Sequence, residues 1–292
     1  MRPFLTVLAI LAAALIVSAA LTYPAWWLVA QVSTQPIHRV AHRVAMLAAL
    51  VGLIWWSRRT GLASREVLGY GTPRGRFLRH LGIGFGVGLA LMVPWVATLF
   101  ALNIRSIQPD LHASIGKLLL QGLASGFAVA FIEETFFRGI LQGAVTRASG
   151  QALGVLLPST LYAAVHFLGG KIRVPDDQIH WSSGFDVLAN LFTAYNHPLA
   201  LTDSLAALFV LGVLLALLRI RTGIVAGGAG LHAAGVFTIS LLREATVYNP
   251  DASWSWLVGS YDRVIGWGAA LWFVAIVLAA NAIVKKPAAA NR

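Results

Sequence analysis

Long apolar segments dominate this chain of 292 residues and constrain its fold more than any other feature. Apolar side chains make up 58% of the residues and charged ones only 11%. Several apolar runs reach the roughly 20 residues that an α-helix needs to cross a hydrocarbon core. The sequence therefore predicts an all-α, polytopic transmembrane helix bundle of about eight spans, with no room for a separate soluble domain.

The predicted spans follow the apolar runs in chain order. They cover Pro3–Ala30, Val40–Trp56, His80–Leu102, Ile115–Arg138 with a continuation to Arg147, Ala152–Leu168, Thr202–Leu218, Ile224–Leu242 and Val264–Val284. The first run could be a signal peptide, but it continues into Trp26 and Trp27, an aromatic pair suited to the membrane interface. We therefore interpret it as an uncleaved first helix.

Orientation is predicted from lysine and arginine, which cytoplasmic loops carry in excess. The basic residues that follow or close the spans are Arg58, Arg59, Arg65, Arg74, Arg76, Arg79, Arg219, Arg221, Lys285 and Lys286. All of them lie on one side if both the N and C termini are cytoplasmic. The opposite loops carry Trp181, Trp254 and Trp256, as an interfacial belt would.

The net charge of +11 is accounted for by these loops facing anionic lipid headgroups. We expect the lipid bilayer as a partner and no nucleic acid. The chain has no cysteine, which excludes disulfides, thiolate zinc sites and a cysteine nucleophile. The expected location is the cell membrane as a multi-pass protein, with a bacterial inner membrane favoured by the brevity of the chain.

Two adjacent glutamates, Glu133 and Glu134, lie inside the fourth apolar run. A carboxylate at membrane depth is costly, so it usually lines a cavity, pairs with another group or performs chemistry. Adjacent helical residues point about 100° apart, which predicts different roles for the two. Glu134 precedes Arg138 by four residues, a spacing that predicts a structural ion pair. Glu133 has no such cation and is the predicted catalytic carboxylate.

His166 and His232 lie well within predicted spans, whereas the other histidines are in loops or at span edges. The fourth and fifth spans form a hairpin with its turn near Ser149, and Glu133 and His166 lie about equally far from that turn. They should therefore lie at the same depth. His232 reaches a similar level if its helix is tilted.

One glutamate with two histidines indicates one of two designs that activate water. Glu133, His166 and His232 could form an open three-ligand site for a divalent metal ion such as Zn²⁺. Alternatively, Glu133 acts as a metal-free general base while an imidazole stabilises an oxyanion. A third use of the same groups is a proton relay in a proton-coupled transporter.

Glycines recur in two of the predicted spans, at Gly82, Gly84, Gly86 and Gly88 and again at Gly227, Gly228 and Gly230. No strand precedes the first group and no Lys-Ser/Thr pair follows it, which argues against a nucleotide-binding loop. We expect these glycines to allow close packing of helices.

The segment Glu133-Glu134-Thr-Phe-Phe-Arg138 resembles the Glu-Glu-x-x-x-Arg motif of the CPBP family. This family comprises type II CAAX prenyl endopeptidases and bacterial bacteriocin-processing or self-immunity relatives. Tyr162-Ala-Ala-Val-His166 is similar to the family's Phe-x-x-x-His motif. Leu231-His232-Ala-Ala-Gly-Val236 is similar to its third motif, in which Asn stands at the position of Val236. The matches run in order over about two fifths of the chain.

The resemblance implies an intramembrane endopeptidase that cleaves a membrane-associated peptide or lipoprotein. Glu133, His166 and His232 would handle the water, with Glu134, Arg138 and Tyr162 supporting them. The implied organisation is an N-terminal transmembrane part with a basic cytoplasmic loop (residues 1–110), a catalytic core (111–245) and a C-terminal transmembrane helix (246–292).

Val236 is a departure from the family pattern with a chemical consequence. The family's Asn would help to polarise the scissile carbonyl, and its loss leaves one oxyanion donor missing. Thr238, Asn190 and Asn196 are the predicted substitutes. Without a substitute, the alternative is a catalytically weakened member that acts as a membrane scaffold or immunity protein.

Overall fold

The computed structural model describes residues 1–109, 115–169 and 174–285 of the chain. The α-helices of this part are α1 (Arg2–Ala30), α2 (Ile37–Arg59), α3 (Arg65–Leu68), α4 (Arg74–Ala101), α5 (Ile115–Glu134), α6 (Gln142–Ser149), α7 (Gln151–Val165), α8 (Ser183–Asn190), α9 (Thr202–Thr222), α10 (Ala226–Ala245) and α11 (Trp267–Lys285). A π-helix, Thr135–Leu141, joins α5 to α6. Short 3-10 turns occupy Asp176–Gln178, Thr193–Asn196, Pro198–Leu201 and Ser255–Leu257.

Five helical segments are long and apolar enough to cross a membrane. They are Arg2–Ala30, Ile37–Arg59, Arg74–Ala101, Ile115–Ser149 and Pro198–Thr222, and the shorter apolar helices are Gln151–Val165 and Trp267–Ala279. α10 is also as long as a span, but its glycines and His232 make it less apolar than these five segments. The all-α prediction is confirmed, whereas the count of eight spans and the side of the termini stay predictions.

Two of the predicted spans differ from the helices that form. The fourth span is not one continuous α-helix, because the π-helix interrupts it directly after Glu134. The fifth ends at Val165 instead of Leu168, and its 15 residues extend only about 22 Å. His166 therefore lies at the end of α7 and not inside it. Lys286, used for the predicted orientation, lies outside the described residues.

α10 packs directly on α4 and α5 through glycines. A carbon added at Gly84 of α4 would lie 2.2 Å from the Gly227 carbonyl oxygen, so no larger residue allows this approach. A carbon added at Gly126 of α5 would lie 2.7 Å from another α10 carbonyl. The predicted glycine packing is confirmed at Gly84 and wrong at Gly82 and Gly86, where an added carbon meets no atom within 4 Å.

A small antiparallel ribbon joins the ends of α4 and α10. Strand β1 (Arg105–Ile107) pairs with β2 (Thr246–Tyr248), with Ser106 opposite Val247. On the other side of the bundle, the backbone nitrogen of Met1 contacts the hydroxyl of Ser149 at the end of α6. The α10 helix thus runs between the two sides of the molecule and carries His232 into its interior.

Candidate active site

Glu133, His166 and His232 come together from three different helices. Glu133 Oε2 lies 3.8 Å from Nε2 of His166 and 3.8 Å from Nε2 of His232. Glu133 is supplied by the last turn of α5, His166 follows α7, and His232 lies about two turns into α10. Glu133 and His166 therefore meet, as their equal depth in the hairpin predicts. His232 lies at the same place.

Hydrogen bonds determine which nitrogen of each imidazole carries a proton. His166 Nδ1 lies 2.6 Å from the Tyr162 carbonyl oxygen, which can only accept, so Nδ1 donates. His232 Nδ1 lies 3.1 Å from Glu134 Oε1 and donates to that carboxylate. With one proton on the ring, each imidazole presents an unprotonated Nε2 toward Glu133.

Glu133 Oε2 is buried and has no hydrogen-bond partner in the described part of the chain. It meets two Nε2 atoms that are also acceptors, so three acceptors converge with no donor among them. A buried acceptor without a donor costs about 1–3 kcal/mol. The arrangement is therefore suited to a water molecule or another donor between these groups.

The sequence also predicts a divalent metal ion at Glu133, His166 and His232. The ligand types are those of open zinc sites. Among the described residues, however, no three His, Cys, Asp or Glu side chains are arranged to hold a metal ion. Metal dependence stays a prediction.

Glu134 and Arg138 form the predicted ion pair, with Arg138 Nη1 3.3 Å from Glu134 Oε1. Both side chains are buried, at 1% and 2% exposure. Arg138 also donates to the Gly212 carbonyl at 3.2 Å and stacks 4.5 Å above the Tyr162 ring. Because Glu134 accepts from His232 as well, it connects Arg138 to the site, a contact that the sequence analysis missed.

Tyr162 is almost fully buried between the two imidazoles. Its ring lies 4.5 Å from the His166 ring and 5.9 Å from the His232 ring, and its hydroxyl is 3.4 Å from His232 Nε2. An edge contact with Phe137 at 5.2 Å holds the other side of the ring. Tyr162 therefore fixes the orientation of both histidines.

The π-helix was not predicted, although it begins directly after Glu134. Such segments often occur at functional sites. Its first residue, Thr135, donates to the Phe131 carbonyl at 2.5 Å and lies 2.5 Å from the Tyr70 hydroxyl. Tyr70 lies in the loop outside the bundle, where burial raises its pKa. The contact with this loop is a tertiary one, and no local sequence pattern signals it.

The site opens into a largely apolar cavity of about 310 Å³. One face of α10 lines it with His232, Val236, Ile239 and Arg243, at the i, i+4, i+7, i+11 spacing of a single helical stripe. The loop before α11 contributes Tyr261 and Asp262, and burial raises the pKa of both side chains.

The predicted substitutes for the missing Asn do not reach this cavity. Thr238, Asn190 and Asn196 are all absent from its lining. The Thr238 hydroxyl donates to a carbonyl of its own helix at 2.8 Å, and Asn190 does the same at 2.9 Å. Ser240, which the sequence analysis did not consider, lines the cavity one turn beyond Val236. Its i+4 spacing from Val236 is the signal that could have found it.

Comparison with known proteins gives one family. Residues 115–238 match the family described as type II CAAX prenyl endopeptidase Rce1-like. No curated protein and no solved structure matches the chain. The matched residues include Glu133, Glu134, Arg138, Tyr162, His166, His232 and Val236. Together with the apolar helices, the match indicates a multi-pass membrane protein of the protease-like CAAX type. The match over residues 115–238 supports the resemblance to the CPBP family that the motifs indicate.

Proposed function

We propose that the chain is a membrane-embedded endopeptidase that hydrolyses a peptide bond of a membrane-associated peptide or protein. Its nucleophile is a water molecule activated by Glu133. The observation that carries the proposal is the buried Glu133 Oε2, which has no partner in the described chain and meets two imidazole nitrogens at 3.8 Å. The Rce1-like family match supports the same reaction class.

In the proposed reaction, one water donates hydrogen bonds to Glu133 and to His166 Nε2. Glu133 removes a proton from the water, and the water oxygen attacks the scissile carbonyl carbon. This step forms a tetrahedral oxyanion. When the oxyanion collapses, the C–N bond breaks and the proton held by Glu133 passes to the leaving amine. The second proton of the water remains with the new carboxyl group.

His232 is assigned to the oxyanion in this proposal. Its Nδ1 is held by Glu134 at 3.1 Å, which leaves Nε2 directed into the site. When the substrate binds, the ring takes up a second proton from solvent at Nε2, and this N–H then donates to the developing negative charge. Glu134 and Tyr162 position the ring, and the Arg138 ion pair holds Glu134 in turn.

The test is cleavage of a library of membrane-anchored peptides by the purified protein in detergent and in liposomes. Glu133→Gln should reduce cleavage by about 10²–10⁴-fold, because the general base is lost. His166→Ala and His232→Ala should also reduce it strongly. Glu66→Gln and His197→Ala are matched controls, because both residues are exposed and neither lines the cavity. Full activity of Glu133→Gln would overturn the proposal.

A chelator arm separates the two water-activating designs. Loss of wild-type cleavage with chelator and its recovery with added Zn²⁺ would assign a metal to the site. Cleavage that is unchanged by chelator would assign the reaction to Glu133 and the histidines alone. In either case, the variants of Glu133, His166 and His232 test the proposed catalytic residues.

Val236 favours a second candidate function, that of a catalytically weakened scaffold or immunity protein. It lines the cavity one turn from His232, where the missing amide could cost about 10²–10³ in rate. Val236→Asn should raise cleavage by up to that factor, and Thr238→Asn is the control outside the cavity. A wild type without activity that Val236→Asn makes active would support the scaffold function. Proton-dependent solute flux in liposomes without cleavage would instead support a transporter.

A further inference from the structure

A second cavity lies beside the first turn of α4, in the loop that joins α2 to this helix. Its volume is about 480 Å³, and it is lined by Arg65, Tyr70, Thr72, Arg74 and Phe77. Two of these side chains are arginines and none is acidic. The cavity shares no lining residue with the candidate active site, and its charge is positive where that site is largely apolar.

Neither guanidinium group of this lining is engaged by another side chain of the described chain. Arg65 and Arg74 are exposed, and neither forms an ion pair or a side-chain hydrogen bond with the described residues. The surrounding sequence adds charge of the same sign, because residues 58–79 contain six arginines and one acidic residue, Glu66. An excess of cations around a concave surface attracts an anion.

Thr72 adds a hydroxyl group to the same lining. Its Oγ1 atom is buried and has no hydrogen-bond partner among the residues that the structure describes. Such a group is destabilising unless it is paired, and it can donate to an oxygen atom of a bound anion. Arg74 begins α4, which has no side-chain cap at its N-terminus, so the first backbone N–H groups of the helix favour an anion at the same place.

This combination of donors is suited to a phosphate group. A phosphate carries several charged oxygens, which can accept hydrogen bonds from guanidinium, hydroxyl and backbone N–H groups at the same time. Arginine matches it particularly well, because the planar guanidinium can donate two parallel hydrogen bonds to one phosphate.

The position of the cavity in the chain places it at the level of lipid headgroups. α2 ends at Arg59 and α4 begins at Arg74, and both helices are long and apolar enough to cross a membrane. The residues between them therefore lie at the membrane interface. The orientation that the arginines predict puts this interface on the cytoplasmic side, where anionic phospholipids attract basic segments.

The walls of the cavity are held by contacts that do not involve its two arginines. The Tyr70 hydroxyl lies 2.5 Å from the Thr135 hydroxyl, and the Tyr70 ring stacks on Phe77 with the ring centroids 5.4 Å apart. The backbone N–H of Val225 donates to the Gly69 carbonyl at 3.2 Å, which fixes the loop against the start of α10. A site that is already formed binds its ligand at a lower entropic cost.

We propose that Arg65, Thr72 and Arg74 bind a phosphate group, which belongs either to an anionic phospholipid or to inorganic phosphate. The two arginines supply the charge and the bidentate contacts, and the Thr72 hydroxyl donates to a further oxygen. This site goes beyond the proposed peptidase reaction, because it lies outside the active-site cavity and its occupation is measured as binding and not as turnover.

The experiment measures the Kd of the full chain for dioctanoyl phosphatidic acid and for dioctanoylglycerol, in a non-ionic detergent and a buffer without phosphate. The two lipids differ only in the phosphate group. We expect phosphatidic acid to bind to the wild type at least about tenfold more tightly, because charge-assisted hydrogen bonds to the phosphate contribute that factor or more.

Inorganic phosphate is the competitor that distinguishes the two sources. Displacement of phosphatidic acid by inorganic phosphate would show that the phosphate group alone is sufficient. Displacement by unlabelled phosphatidic acid but not by inorganic phosphate would show that the ligand is a membrane lipid. Either result is consistent with the proposed site.

Two variants of the lining test the contacts. Arg65→Gln combined with Arg74→Gln should weaken the binding of phosphatidic acid by at least about tenfold. Thr72→Val should weaken it by about three- to tenfold, because it removes only the hydroxyl. The matched control is Arg76→Gln combined with Arg79→Gln, which removes the same charge from exposed positions of α4 that do not line the cavity. At physiological ionic strength, the control should keep the Kd within about threefold of the wild-type value.

Two results would overturn the inference. One is an equal Kd of phosphatidic acid and dioctanoylglycerol for the wild type. The other is an equal loss of binding in the two arginine pairs, which would assign the attraction to the general potential of the loop. Thermal unfolding without ligand shows whether each variant is folded. If the Arg65 and Arg74 variant does not fold, Thr72→Val provides the test, and an unchanged Kd would then overturn the inference.

Discussion

Glu133 and Glu134 are neighbours in the sequence, but their surroundings are opposite. The Glu134 side chain is 1% exposed and contacts both Arg138 and His232. The Glu133 side chain is 25% exposed, faces the cavity and leaves Oε2 without a hydrogen-bond donor in the described chain. One carboxylate thus stabilises the site and the other is available for chemistry.

Substitution of the two glutamates should separate stability from activity. Glu134→Gln should lower the free energy of unfolding by about 3–5 kcal/mol, because it leaves Arg138 buried without a counterion. Glu133→Gln should change it by less than about 1 kcal/mol, since the removed charge has no partner to lose. Thermal unfolding of both variants in the same detergent measures the difference. Equal destabilisation by the two would show that Glu133 is also structural.

The ion pair of Glu134 with Arg138 could be predicted because both residues lie on one helix, four positions apart. The meeting of Glu133 with His166 could be predicted because a short turn fixes their relative depth. The contact of Glu134 with His232 could not, since it joins residues 98 positions apart. Its formation depends on how α10 is rotated against α5, which is decided by tertiary packing.

At the scale of secondary structure, the position of α10 is set by contacts at glycines that leave no space for a larger side chain. Gly84 of α4 lies so close to Gly227 that an added carbon would be 2.2 Å from its carbonyl oxygen. On the other side, an added carbon at Gly228 would lie 3.1 Å from Glu134 Oε2. Close contact with α4 therefore holds α10, and with it His232, against the carboxylates.

Replacement of glycine in α4 should have opposite effects at two nearby positions. Gly84→Ala should destabilise the protein by about 1–3 kcal/mol or more, because the methyl group forces α4 and α10 apart. Gly82→Ala should be neutral or stabilising by up to about 1 kcal/mol, since its added carbon meets no atom and alanine favours the helix. Thermal unfolding in detergent compares the two, and peptide cleavage should fall only in Gly84→Ala. Equal stability of the variants would contradict the role given to this contact.

The helices themselves could be predicted from their apolar composition to within a few residues at most ends. The π-helix could not, because it differs from an α-helix only in a shift of backbone hydrogen bonds. That shift accompanies contacts from outside the segment, with Tyr70 bonded to Thr135 and Arg138 bonded to the Gly212 carbonyl. The packing role of the α4 glycines could likewise be predicted only in part, because composition does not show which of these glycines face α10.

For the whole molecule, the structure places the arginine-rich loop and the β-ribbon on opposite sides of the bundle. Arg219 at the end of α9 donates to the Val67 carbonyl at 3.0 Å, which joins that end to the loop before α4. The ribbon lies beyond the other ends of α4 and α10. Trp254 and Trp256 are about half exposed on the ribbon side. The positive-inside rule predicts that the arginine side faces the cytoplasm.

The absence of cysteine from the sequence allows a direct test of this orientation. Ala63→Cys and Ser253→Cys each introduce a single thiol at an exposed position, one on the arginine side and one on the ribbon side. A membrane-impermeant maleimide should label Ser253→Cys in intact cells, and it should label Ala63→Cys only after the membrane is permeabilised. The cysteine-free wild type gives the background. The reverse pattern would place the arginine-rich loop outside, and labelling of both thiols in intact cells would contradict the two-sided arrangement that carries α10 and His232 into the bilayer.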